Sequence, residues 1–412
     1  MPVILLILGS LFAADLFVWW SGARLLRKLP ERRARRRLRG LFHGFLFFQT
    51  ASLTGIVASW SQHFNIDTFL PTPVAIVVFI WHLLVAPLAL AGNLLGLVAE
   101  SATALIRRIL PAPSPAPLAD SVPESAISRR EFLGTAAALT PPVLTLALSA
   151  AAAAQLEDFR VRRFTIPVSG LPRELDGLTI AHVSDTHIGR FTHGRVLGKI
   201  VEATNALRAE MVLFTGDLIN DSLRALPQGI EMLRSLNGPL VICEGNHDLI
   251  ESRVAFESQM KASGLKLVVN EATTLKVRGI SIQILGLRWG GPPTRGNNRH
   301  DEAGLAASAA ELLKLRDPAA FPIVLAHHPH AWDHLGGLPL VLSGHTHGGQ
   351  LMLNERLGFG PAMFRYWSGL YTRKANPSGF SQALVVSNGV GNWFPLRTEA
   401  PAEILHITLQ PA

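Results

Sequence analysis

Five short stretches of this 412-residue sequence carry side chains able to hold metal and move protons. They are Ser184-Asp185-Thr186-His187, Gly216-Asp217-Leu218-Ile219-Asn220-Asp221 and Glu244-Gly245-Asn246-His247-Asp248, then Ala326-His327-His328-Pro329 and Ser343-Gly344-His345-Thr346-His347-Gly348-Gly349-Gln350. Carboxylate and amide oxygens mixed with imidazoles suit a pair of divalent transition metals. Each stretch is weak alone. An Asp-x-His occurs by chance, and Gly-Asn-His-Asp also makes an Asx turn. Their common position carries the signal, because each follows a short apolar run.

Those runs are Leu178–Val183, Met211–Thr215, Leu240–Cys243, Phe321–Leu325 and Pro339–Leu342, and they read as buried strands. Helix-like segments alternate with them at Gly194–Leu207, Ala225–Leu236, Ser252–Ala262 and Glu302–Leu313, and Leu275–Val277 with Ser281–Leu285 reads as a hairpin. The alternation predicts an α/β sandwich. In such sheets the carboxyl ends of strands collect the binding residues. Cys243 and His182 lie on these strands and read as packing residues, while His328, His330 and His334 read as surplus histidines beside His327.

In this order D-x-H, G-D, G-N-H-D, H-x-P and G-H-T-H resemble the calcineurin-like metallophosphoesterase superfamily. Gly348-Gly349-Gln350 and a tail running from Ser368 to Glu403 narrow the resemblance to a bacterial membrane-associated phosphodiesterase branch. It covers about residues 160–410 and implies an αββα sandwich with a dinuclear site at the strand ends. Carried over by motif, Asp185, His187, Asp217 and His347 would hold one divalent ion. Asp217, Asn246, His327 and His345 would hold the other, with Asp217 shared. Manganese, iron, zinc and magnesium all remain open.

His247 is then the expected catalytic residue that binds no metal, an acid or hydrogen-bond donor to the phosphoryl group. Asp221 or Asp248 would orient it, since Asn220 stands where the family often has an acid. Asn388 stands where the family often has an arginine, which leaves Arg397 as the substrate-binding candidate.

The expected activity is phosphoester hydrolysis by a metal-bridged hydroxide, most simply of a phosphodiester. No serine or cysteine nucleophile accompanies the motifs. The alternatives are a pyrophosphate hydrolase of UDP-2,3-diacylglucosamine-type lipid precursors and a non-enzymatic membrane receptor for a phosphorylated ligand. The substrate is accordingly a phosphorylated small molecule or lipid. Nucleic acid is not an expected partner, because residues 111–412 hold 27 Lys+Arg against 26 Asp+Glu and offer no basic stripe.

The basic excess lies at the front, where residues 1–110 hold 11 Lys+Arg against 4 Asp+Glu. There the apolar runs Val3–Trp20, Leu41–Trp60 and Val74–Val98 predict about three transmembrane helices. Nine basic residues between Arg24 and Arg39 place that loop in the cytoplasm. A proline-rich linker follows over 111–130. Residues 131–154 form a fourth apolar segment broken by Pro141-Pro142, preceded by Ser128-Arg129-Arg130 in the manner of an internal twin-arginine signal. The expectation is a multi-pass protein of a bacterial plasma membrane with residues 155–412 extracytoplasmic and the twin-arginine translocase as export partner. The one cysteine excludes an internal disulfide.

Overall fold

The protein is described by a computed structural model covering residues 2–27, 32–61, 70–109, 129–290, 302–374 and 381–412. The stretch from Pro111 to Pro117, expected as a linker, lies outside the described residues. The chain divides into two compact units, Met1–Ala153 and Ala154–Ala412.

The first unit is helical: α1 (Pro2–Leu26), α2 (Arg32–Ser61), α3 (Thr72–Ile80), a π-helical turn (Trp81–Val85), α4 (Ala86–Ile109) and α5 (Arg129–Gln155), whose end enters the second unit. Among the described residues, two helical stretches are long and apolar enough to cross a bilayer, Thr72–Ile109 and Phe132–Gln155. The second was expected to be broken by Pro141-Pro142, yet α5 runs through both prolines. Just before them the Thr140 hydroxyl donates to the Ala136 carbonyl at 2.7 Å. Buried Asp15 is met by the Trp81 indole at 2.7 Å, His82 at 3.1 Å and the Thr50 hydroxyl at 3.1 Å, all reaching it from other helices.

The second unit is built on two sheets. It begins with β1 (Arg160–Val168), β2 (Thr179–Val183), α6 (Arg195–Ala206), β3 (Met211–Thr215), α7 (Leu226–Arg234), β4 (Leu240–Cys243) and α8 (Arg253–Ala262). There follow β5 (Glu271–Val277), β6 (Ile280–Gly286), α9 (Glu302–Leu313), β7 (Phe321–Leu325) and β8 (Leu340–Ser343). The tail forms β9 (Met352–Asn354), β10 (Leu357–Gly358), α10 (Phe359–Met363), β11 (Gly369–Lys374), β12 (Ser381–Val386) and β13 (Glu403–Pro411). One sheet has the order β1-β13-β2-β3-β4, the other β11-β12-β8-β7-β6-β5. β2, β3 and β4 are parallel, as are β6, β7, β8 and β12, so the ligand-bearing ends share a direction within each sheet.

Strand alternation explains the layering. Ile180, Leu213 and Val241 face Ile282, Ile323 and Leu342 in the core between the sheets. Their neighbours Ala181, Val212 and Ile242 face outward and are covered by Val196, Ile200 and Leu233 of α6 and α7 with Phe256 of α8. On the far side Leu285, Val324 and Val341 meet Leu305 and Leu312 of α9. The result is the expected four-layer α/β sandwich. α8 starts where the Ser252 hydroxyl accepts from the Ala255 N–H, capping its first turn.

The tail closes the first sheet through charge as well as pairing. Buried Glu403 at the start of β13 accepts two bonds from Arg160 of β1, at 2.9 and 3.1 Å, and one from the Asn388 N–H at 3.2 Å. Glu403→Gln removes the charge from a fully buried acceptor of arginine, and it should destabilise the second unit by about 1–3 kcal/mol. A thermal or urea transition unchanged from wild type would show that the pairing adds nothing to the strand ladder.

Candidate metal centre

Each ligand candidate stands where a buried strand stops and the backbone turns off it. Asp185, His187, Asp217, His345 and His347 all have positive φ, between 45° and 72°, a region L-residues disfavour. Glycine makes room for the crowding. A Cβ on Gly245 would strike the Asp217 carboxylate, and one on Gly344 would strike Asp185. The five turns converge on one buried cluster.

The donors form two groups joined at Asp217. Ligand atoms of Asp185, His187 and His347 lie within 4.8 Å of one another, as do those of Asp217, His327 and His345. Asn246 joins the second group, its Oδ1 lying 2.9 Å from His345 Nδ1 and 3.2 Å from His327 Nε2. Asp217 Oδ2 lies 3.5 Å from His187 Nε2 and 3.2 Å from His327 Nε2, within reach of an imidazole from each group. Its other oxygen accepts the His247 N–H at 2.8 Å. All seven residues expected as ligands are therefore brought together, and His247 lies close as well, its ring grouping with His187 and Asp217.

The donor set suits a pair of divalent cations. Two carboxylates, one amide oxygen and four imidazoles supply two formal negative charges, which leaves a doubly charged pair net positive toward an anion. The ring nitrogens crowd in a way only a proton or a cation relieves. His187 Nε2 and His347 Nε2 face each other at 2.9 Å. Supporting groups fix several of the rings, as ligand histidines require. His327 Nδ1 meets the Thr215 carbonyl at 2.6 Å, directing Nε2 at the cluster. The Asp185 carboxylate receives the Ser184 hydroxyl and, at 3.0 Å, the His345 N–H.

Burial and charge divide the titrations. Burial opposes ionisation of Asp185 and Asp217, but the surrounding imidazoles win and hold both carboxyls well below the usual range. Burial also opposes protonation of His327, yet the adjacent Asp217 carboxylate lifts it to about 9. His345 and His347 are pressed down to about 3, chiefly by burial.

Three sequence expectations change here. Asp248 does not hold the His247 ring. Its carboxylate accepts the N–H groups of Asp217, Ile219 and Gly245 at 2.9–3.1 Å and so braces the Asp217 turn. Burial and the Asp217 charge push it up to about 8. Nor does the choice between Asp248 and Asp221 describe His247, whose Nδ1 instead meets the backbone carbonyl of Asn220 at 2.5 Å. Arg397 does not face substrate. Its buried guanidinium donates to Asn392 Oδ1, to the carbonyls of Asn388, Ala400 and Gly391, and to His347 Nδ1 at 2.8 Å. A guanidinium only donates, so His347 Nδ1 accepts and the neutral ring carries its hydrogen on Nε2, a proton that a cation bound at Nε2 would have to displace.

The aromatic walls are new. Trp289 packs 4.8 Å from the His345 ring and 5.4 Å from His327, and Trp393 lies 6.5 Å from His247 and 6.4 Å from His347. No local motif marks either. Cys243 is buried with its thiol pushed well up by burial and by the Glu244 carboxylate, in keeping with a packing role. His182 is a buried strand residue bonded to the Thr215 hydroxyl at 2.8 Å.

Comparison with known proteins agrees with this geometry. A family model described as calcineurin-like phosphoesterase matches residues 178–349. The chain is 31% identical over 299 residues to the uncharacterized metallophosphoesterase YkuE of Bacillus subtilis, a match covering 69% of this chain and 98% of that protein. It is 29% identical over 259 residues to an uncharacterized metallophosphoesterase of Helicobacter pylori, covering 61% of this chain and 64% of the relative. It is also 29% identical over 263 residues to a transmembrane protein with metallophosphoesterase domain of Danio rerio, covering 60% and 56%.

Two outcomes follow from the protonation pattern. A cation at His327 must displace the proton held up to about 9, so Mn²⁺ affinity should rise between about pH 6 and about pH 9, and binding near neutrality should release protons. Calorimetry in buffers of different ionisation enthalpy reads that release, and none would contradict it. Arg397→Ala should weaken metal binding by about 10–100-fold, as loss of a group orienting a ligand does, with KM little changed at saturating metal. A selective rise in KM would restore the substrate role.

Proposed function

The chain belongs to the calcineurin-like phosphoesterase family and is a phosphoester hydrolase, and from that premise we propose that it cleaves phosphodiesters with two divalent cations held by the seven converging donors. Asp185, His187 and His347 would hold one cation and Asn246, His327 and His345 the other, with Asp217 able to serve both. When bound, the cations supply Lewis acidity and an activated water for attack on phosphorus.

The chain's own residues do the remaining work. His247 holds its ring by Nδ1–H to the Asn220 carbonyl, so Nε2 is the atom that, when the ring is protonated on both nitrogens, would donate to the phosphoryl oxygen or give its proton to the departing alkoxide. Its backbone N–H keeps Asp217 Oδ1 turned from the shared position. Trp393 beside His247 and His347 limits water on that flank.

The observation that carries the diester reading is Arg397. Its donors are spent on protein acceptors, so it offers no cation to a terminal phosphate, which would carry about two negative charges against one for a diester.

The apolar helices support anchoring in a bacterial plasma membrane. The basic stretch from Arg24 to Arg39 supports a multi-pass arrangement with the catalytic unit outside, and Ser128-Arg129-Arg130 supports export through the twin-arginine translocase.

His247→Gln should retain both metals and lower kcat on an alkyl phosphodiester by about 10²–10⁴-fold. The loss should be smaller on bis(p-nitrophenyl) phosphate, whose leaving group needs no proton. Equal losses on both substrates would remove the acid role, and an unchanged kcat on the alkyl diester would remove His247 from the reaction.

A further inference from the structure

Single exposed apolar side chains are ordinary on a protein surface, but their confinement to one place is not. Among the described residues from 154 onward, the exposed large apolar side chains are Ile250, Val254, Leu353, Leu357, Phe359, Met363, Trp393 and Leu315. All but Leu315 lie on chain segments that leave from the site. The largest group is on the excursion through β9, β10 and α10. It departs just after His347 and returns at Phe364, whose ring is 5.8 Å from His345. On it Leu353, Leu357, Phe359 and Met363 are each more than half exposed. Ile250 and Val254 follow directly on His247, and Trp393 flanks both His247 and His347. Leu315 instead precedes β7, at the amino end of its strands, away from the donors.

An apolar helix leads directly into this unit. α5, apolar over Phe132–Gln155, ends only four residues before β1, a reach of about 14 Å at full extension. The first of those residues is fastened beside the site, the Asn392 amide donating to the Leu156 carbonyl at 3.0 Å next to Trp393. Arg356 and Arg365 bracket Leu357, Phe359 and Met363; Glu355 adjoins Arg356 in sequence and Asp333 meets Arg365 at 3.3 Å, but the Arg365 side chain stays mostly exposed and can still face anionic headgroups.

We propose that this apolar rim lies in the headgroup region of the bilayer reached by α5, and that the site acts on the phosphoester of an amphiphile presented in the membrane plane. The second half rests on the phosphodiesterase reading above. The first does not.

The full chain in nanodiscs of phosphatidylethanolamine and phosphatidylglycerol tests both halves. With Cys243 buried, Leu353→Cys and the control Leu315→Cys each take a polarity-sensitive maleimide probe at the new thiol. Doxyl-labelled lipid should quench the probe at 353 several-fold more than at 315. Equal quenching would overturn the insertion, as would a signal at 353 that follows protein concentration instead of quencher lipid. For the substrate, hexadecyl p-nitrophenyl phosphate in the disc is compared with soluble methyl p-nitrophenyl phosphate, which has the same leaving group. Wild type should prefer the long tail by about tenfold or more in kcat/KM. Leu353→Glu with Phe359→Glu should lose that preference and keep the methyl ester rate. No tail preference in wild type would overturn the amphiphile assignment. Turnover of neither ester would overturn the phosphodiesterase reading and the substrate half with it, while the quenching comparison still decides the insertion.

Discussion

Five of the donor residues stand on left-handed backbone, and the rest of the second unit exists to hold them there. Each such residue costs about 1 kcal/mol or more. The strain persists because the strands on which the donors end are fixed by ladders on both sides and by apolar layers above and below. Asp248 adds the specific brace, tying the N–H of Asp217 to that of Gly245 across neighbouring strand ends. Desolvation adds a second cost, since two carboxylates and four imidazoles are brought out of water together. They relieve one another only in part. His327 is left holding a proton that Asp217 wants nearby and a cation would expel.

Much of this is legible in the sequence. β2, β3, β4, β7 and β8 are near-continuous apolar runs, and a strand buried on both faces looks like that in sequence. Because the donors come directly after them, finding the strands found the site. β1 and β11 were not legible as strands, having mixed polarity at sheet edges. β13 was missed for another reason. Its place between β1 and β2 depends on pairing with residues more than two hundred positions away, which no local period records.

The misreadings at the site share a cause. Asn220 supplies its contact to His247 from the backbone, so its side-chain type carries no signal, whereas Asp221 after it and Asp248 after His247 do. Arg397 was read by its charge, but its direction is set by carbonyls at 388, 391 and 400 that only the folded tail assembles. In the first unit the pattern of Pro141-Pro142 suggested a break, and α5 nevertheless runs through both prolines.

The sheet order also governs when the site can come into being. β13 follows every donor in the chain and inserts between β1 and β2, so synthesis delivers all seven donors before the strand that completes the sheet beneath Asp185. Until β13 emerges, β2 has a bare edge, and Glu403 is not yet there to fix the turn at Asn388 that carries Arg397's acceptors. A nascent chain therefore exposes histidines and carboxylates without the geometry to discriminate among metals. Discrimination among cations by this donor set would therefore begin only once β13 is in place.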